Sequence, residues 1–298
     1  MDWELRLVSI YLIVCKFFNQ PQVQQKLRKS PNANPRFTDE EVMTIYIFCI
    51  LSGHQVIKHM HQFVYAHLRM WFPYLSKYST FNHRLNFLME EFEEFSKEFI
   101  KNFHDKLHHQ ENLLVLDSMP IILAKGSRAR KAKVANNLAN FGYCASKKLF
   151  YHGVKFHLFA DYVEGTLPNP HHLKITGAKE HDLTAVRDIF PMFEGHHIIA
   201  DKAYVDESLK NSLHEENNVG LYTPVKLKKG QKELEENESI FSKIINSFRQ
   251  PIEIFFSWIS DLTGIQKGSK IRSEKGLRVH VFGRFLAAMI VLLLQLKV

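Results

Sequence analysis

Apolar positions recur at helical spacing along the first third of the chain. FTDEEVMTIYIFCIL (37–51) opens with Thr38 as N-cap and Glu41 three residues later, a capping-box pattern, with Phe37 and Val42 placed to staple the entry. SGHQ (52–55) interrupts this helix and VIKHMHQFVYAHL resumes as another. The pair reads either as a helix-turn-helix for DNA or as a plain helical hairpin. From residue 84 to 109, Leu85, Phe87, Leu88, Phe92, Phe95, Phe99 and Phe103 form the aromatic stripe of an amphipathic helix, a core-packing face. The pattern therefore predicts a helical region over 1–110.

After Glu111 the period changes. NLLVLDSMPI reads as a short apolar run that ends on Asp117, and YHGVKFHLFAD (151–161) and TLPNPHHLKI (166–175) read as two strands around a Glu-Gly turn at 164–165. HDLTAVRDIFPMF reads as a helix, HHIIAD as a strand, VDESLKNSLHEEN as a helix and VGLYTPV as a strand. Two long helical patterns follow, SIFSKIINSFRQPIEIFFSWISDL and RVHVFGRFLAAMIVLLLQL. Strands with helices inserted between the later ones predict an α/β domain over 111–298, a mixed sheet flanked by helices.

Composition narrows the class. A chain of 298 residues with 45% hydrophobic content can bury a substantial core. Three distant cysteines with no C-x-x-C pair match neither a disulfide framework nor a zinc ribbon, and read as an intracellular thiol pattern. Asp2 and Glu4 stand where a secretory signal carries positive charge. The apolar run FLAAMIVLLL (285–294) is shorter than the roughly 20 residues a bilayer-spanning helix uses. The expectation is a cytoplasmic, nucleoid-associated protein with no membrane partner.

Net charge is +8, and the basic residues cluster. From Ser118 to Ala160 there is no Asp or Glu, while Lys125, Arg128, Arg130, Lys131, Lys133, Lys147, Lys148 and Lys155 all fall inside. Phe141, Tyr143 and Phe150 interleave with them, available to stack on splayed bases. A second cluster, Lys267, Lys270, Arg272, Lys275 and Arg278, is opposed only by Glu274. Charge this one-sided points to a phosphodiester partner, and Lys202 is assigned to the same role.

Three acids carry the candidate chemistry. LLVLDSMP and IIADKAY share one design: a buried strand, an acid, then a small residue at or near the next position. Asp117 and Asp201 are thereby expected at the carboxyl ends of two strands, where ligands gather in α/β sheets. Glu253 lies in RQPIEIFFSWI beside an apolar face of Ile252, Phe255, Phe256 and Ile259, where an unpaired carboxylate is costly. Taken singly, each Asp reads as a cap or turn residue. Together, three oxygen donors suit hard Mg²⁺ or Mn²⁺, and such acids around two ions are recurring equipment of phosphodiester chemistry. Arg249, one turn before Glu253, is placed either to contact DNA or to pair with that carboxylate.

LDSMPI, YHGVKFH, AKEHDLTAV, ADKAY and RQPIEIFFSWI occur in order. On these segments the chain, over about residues 111–296, resembles DDE-type insertion-sequence transposases with a ribonuclease-H-like catalytic core. The resemblance implies that Asp117, Asp201 and Glu253 are the metal-binding catalytic acids. It also implies divalent-metal cleavage and strand transfer at terminal inverted repeats of double-stranded DNA, by a homodimer or larger synapse. Asn246 and Ser260 stand where a related signature has Tyr and Lys, and the short stretch from Val225 to Glu253 leaves no room for the β-rich insertion of some relatives. A nuclease without strand transfer and a silent DNA-binding descendant are the alternatives.

Overall fold

The computed structural model describes residues 2–23, 35–107, 112–227 and 230–295. Its elements are α1 (Trp3–Phe18), α2 (Asp39–Leu51), α3 (Ile57–His67), α4 (Tyr78–Phe87), α5 (Met89–Leu107), β1 (Leu113–Lys125), β2 (Asn140–Cys144), β3 (Leu149–Asp161), β4 (Asn169–Gly177), α6 (Asp182–Val186), β5 (His197–Ala200), α7 (Glu207–Asn217), β6 (Gly220–Tyr222), α8 (Glu236–Thr263) and α9 (Glu274–Gln295). They divide into two compact units. One comprises Met1–Phe99 with Ile259–Val298, the other Ile100–Trp258. The boundary expected at 110/111 lies outside the described residues. The C-terminal stretch, expected to continue the α/β domain, groups instead with the N-terminal helices, because α9 packs on α2 and α4.

In the helical unit the capping box forms as expected: Glu41 N–H donates to Thr38 Oγ1 (3.2 Å) and Thr38 N–H to Glu41 Oε2 (2.6 Å). The helix it starts, α2, is buried from Val42 to Ile50 and is the spine of this unit. Gly283 lets α9 approach it, since a Cβ there would lie 2.6 Å from Tyr46 Cε1. The run 285–294 belongs to a longer helix whose stretch Glu274–Leu294 is long and apolar enough to cross a membrane by length and composition alone. The ten-residue measure was therefore too short. Most of that stretch is buried, as in a core helix.

The second unit is built on a curled six-stranded sheet of order β2-β3-β1-β5-β6, with β4 pairing the far half of β3. β1 runs antiparallel to β3 and parallel to β5, and β5 parallel to β6. Because side chains alternate along a strand, the two faces of β1 have different fates. Leu114 and Leu116 pack with Phe159, Val186, Phe190, Leu209 and Leu213 under α6 and α7. On the opposite face Met119 is paired with Phe156, whose ring meets Phe256 of α8. A mixed sheet with helices, following a helical N-terminal region, is compatible with a ribonuclease-H-like core.

Two strand readings change. The first strand does not stop at Asp117 but continues through Ser118, Met119 and Pro120 to Lys125, so Asp117 sits mid-strand and not at a carboxyl end. Within the basic segment the sequence pattern showed no strand, yet β2 forms there on β3.

Candidate active site

The register of the parallel pair brings two acids together. Leu116 is paired with Ala200, the last residue of β5, so the next positions are Asp117 and Asp201. Beyond that rung β5 turns into a 3₁₀ turn, Lys202–Tyr204, for which Asp201 is the cap, its Oδ1 accepting from Lys202 N–H at 2.6 Å. Asp117 Oδ1 accepts from Ser118 N–H at 2.7 Å. Its alternation places Asp117 on the face that carries Met119 and Leu158, the face α8 covers.

Helix α8 supplies the rest. Its inward face is Ile245, Arg249, Ile252, Phe255 and Phe256, all buried. Arg249 Nη2 donates to Asp117 Oδ2 at 3.1 Å and lies 3.3 Å from Glu253 Oε1, while Nη1 lies 3.4 Å from Asp201 Oδ1. One guanidinium thus reaches all three predicted acids, which are separated by 84 and 52 positions in the chain. Of the two placements read for Arg249, the structure shows the pairing one. Its Nε is buried without a hydrogen-bond partner among the described residues.

The three carboxylates are not equivalent. Asp117 is 18% exposed, against 44% for Asp201 and 59% for Glu253. Burial pushes the Asp117 carboxyl up to about 6; Arg249 and the Ser118 N–H pull it down, and repulsion from Asp201 and Glu253 adds to the rise. Among the described residues, no group of three or more His, Cys, Asp or Glu side chains is arranged to hold a metal ion. The guanidinium stands between the acids instead. Three carboxylates against one guanidinium leave a formal surplus of negative charge, and all the donors are oxygens. In donor chemistry and charge the residues therefore fit a hard divalent cation, with Arg249 in the place such a cation would neutralise.

Behind the cluster is a polar network the sequence did not reveal. Ser118 points to the opposite face of β1 from Asp117 and donates from Oγ to Asp182 Oδ1 (2.9 Å), which also holds the Lys155 ammonium at 3.2 Å. His157, paired with Ser118 across the strands, shares Nε2 with Thr176 Oγ1 (2.8 Å) and is held down to about 4 by burial. Tyr204 is buried, and burial raises its hydroxyl well above the ordinary phenol range. Asp182 opens α6, and its side chain also ties that start to the strand carrying Asp117. A contact spanning 64 residues has no trace in periodicity.

The predicted DNA-contact residues are distributed over both units. Arg128, Arg130, Lys131, Lys133, Lys147, Lys148 and Lys202 are exposed in the sheet unit. Lys267, Lys270 and Arg272 are exposed in the helical unit, along a cleft of about 440 Å³ that Lys58, Asn82 and Asn86 also line. The interleaved Phe141 and Phe150 rings stack on one another.

A family model described as a transposase DDE domain matches residues 108–273, more than half of the chain. No characterised protein and no solved structure matches it. An acid from within one strand, a second just past the end of its parallel neighbour, a third from a later helix, and this match agree: the chain belongs to the family of transposase DDE domains.

Proposed function

We propose that this protein is a DNA transposase of an insertion sequence, which cleaves phosphodiesters at terminal inverted repeats and joins the freed ends to target DNA. The observation that carries the reading is the meeting of Asp117, Asp201 and Glu253 on the single guanidinium of Arg249. Asp117, Asp201 and Glu253 would hold Mg²⁺ or Mn²⁺, two ions, which when bound supply positive charge to the attacking and leaving oxygens. Asp117, fixed mid-strand and hydrogen-bonded by a backbone N–H, is the rigid anchor. Asp201 is oriented by the Lys202 N–H, and Glu253 completes the set from α8.

Arg249 keeps the acids from repelling one another, and the exposed basic residues offset phosphate charge near and away from the cluster. A water oxygen attacks phosphorus in line and the 3′-oxygen leaves, taking a proton to become a 3′-hydroxyl. That hydroxyl then attacks a target phosphodiester in the same way, so the energy of the bond broken is conserved in the bond made. Double-stranded DNA, handled by a homodimer or larger synapse in the cytoplasm at the nucleoid, completes the picture.

The test uses DNA carrying the short inverted repeats that flank the gene, with Mg²⁺ present. The wild-type protein is expected to nick the repeat ends and, given a pre-cleaved end, to yield joined products. Asp201→Asn is expected to lose both reactions while retaining DNA binding. Normal cleavage by Asp201→Asn refutes the assignment; cleavage without joined products reduces the protein to a nuclease.

A further inference from the structure

The β2–β3 hairpin has an unusual outward face. In an antiparallel pair with one buried side, the solvent side is ordinarily polar. Here Gly142 and Tyr151 take the inner side: Tyr151 is fully buried, and a Cβ on Gly142 would lie 2.2 Å from the Ala178 carbonyl oxygen. The outer side carries Phe141, Tyr143 and, directly opposite Tyr143, Phe150. Tyr143 and Phe150 remain 49% and 50% exposed. Their rings gather, Phe141 and Phe150 stacked at 5.4 Å between centroids with planes 4° apart, and Tyr143 at 4.8 Å from Phe150. The Arg130 guanidinium lies 5.8 Å from the Phe141 centroid. A groove of about 490 Å³ runs beside the rings, lined also by Lys131. Lys147 and Lys148 stand exposed at the hairpin tip, and no acid occurs anywhere from Ser118 to Ala160.

Exposed aromatic rings beside a groove whose charged lining residues are Arg130 and Lys131 have a specific use. A duplex offers them only its phosphates, because its base faces are stacked inside. An unpaired strand offers both a backbone for the cations and flat base faces for the rings. A protein partner would find the rings useful, but a groove lined by Arg130 and Lys131, with Lys147 and Lys148 exposed at the tip, favours a polyanion. We infer that the Phe141–Tyr143–Phe150 face binds unpaired DNA, its bases stacked on Tyr143 and Phe150 and its phosphates held by Arg130, Lys131, Lys147 and Lys148. The inference rests on the transposase reading, which supplies DNA with strands opened at the element ends, and it assigns this hairpin to the opened strand.

The test is binding of a fluorescent oligothymidylate, and of a duplex of the same length, to the full chain and to two double variants. Tyr143→Leu with Phe150→Leu keeps apolar bulk but removes the π faces, and is expected to lose roughly tenfold or more of its single-strand affinity with duplex affinity unchanged. Tyr143→Trp with Phe150→Tyr is expected to retain single-strand binding. Wild-type affinity in the leucine variant overturns the inference, as does an equal fall for single strand and duplex, which would mean a general charge or folding effect. Loss of single-strand binding by the Trp/Tyr variant also overturns it. Cleavage of inverted-repeat duplex by the wild-type chain, run alongside, reports separately on the transposase reading. If cleavage stands while the leucine variant binds normally, the platform alone is wrong.

Discussion

Replacing Arg249 by Gln removes the guanidinium that the three acids share, and the structure sets what this should cost. Arg249 is 9% exposed and Asp117 18%, so that pair is largely shielded from water, whereas Asp201 and Glu253 are open enough for solvent to screen them. At the observed 3.1 Å the bare Coulomb attraction is about 5 kcal/mol with an effective dielectric near 20. Breaking a buried pair by removing one partner typically costs about 3–5 kcal/mol. Asp117 has an escape, however, because its carboxyl already titrates near 6 and rises further without Arg249. The loss should therefore be about 3 kcal/mol at pH 8, where a stranded carboxylate must stay charged, and about 1 kcal/mol or less at pH 5, where it takes up a proton. Urea unfolding in EDTA at both pH values measures it. Adding Mn²⁺ should then stabilise Arg249→Gln more than wild type, since no guanidinium has to be displaced. An equal loss at both pH values, or a loss below about 0.5 kcal/mol at pH 8, would refute the view of Arg249 as the internal counter-charge of a buried acid.

Three other perturbations follow from the same geometry. His157, held at about 4 against 6.5 when unfolded, costs stability as pH falls from about 6.5 to 4; Asp117, raised to about 6, returns stability as pH falls through the window from about 6 to 4. Asp117→Asn removes only the second effect, so urea titrations should show the variant losing stability on acidification more steeply than wild type, by on the order of 2–3 kcal/mol across that window. Asp182→Ala takes the acceptor from the Ser118 hydroxyl and the counter-charge from the Lys155 ammonium, which keeps its hydrogen bond to the Glu180 carbonyl. It should cost about 1–3 kcal/mol in thermal or urea unfolding and lower DNA cleavage by shifting β1. Gly283→Ala drives a methyl into the Tyr46 and Phe92 rings at 2.6 and 3.1 Å and should destabilise the protein by about 1–3 kcal/mol, with calorimetry as the readout.

Much of the fold and the candidate site was visible in local pattern because each part was set by short-range physics. Thr38 and Glu41 announced the start of α2, and the apolar runs before Asp117 and Asp201 announced two buried strands, whose parallel pairing as far as Leu116 and Ala200 then brought the acids side by side. Glu253 was marked by its position beside an apolar helix face. What stayed hidden depended on partners far along the chain. β1 continues past Asp117 because β3 pairs with it as far as Lys125, whereas DSMP by itself reads as a turn. β2 is a strand only because β3 offers it an edge, and its composition alone reads as a basic loop. α9 joins the N-terminal helices because α2 presents it a surface, a preference its own hydrophobicity does not encode. Arg249 had two readings in sequence, and only the fold of α8 onto the sheet chose between them.

Crystals of the full chain soaked in Mn²⁺, with anomalous scattering recorded at the manganese edge, test the central claim most directly. The account predicts anomalous density bonded to carboxylate oxygens of Asp117, Asp201 and Glu253 together, with Arg249 displaced from between them. Manganese bound elsewhere, or density that engages the two aspartates while Glu253 remains paired with Arg249, would contradict it.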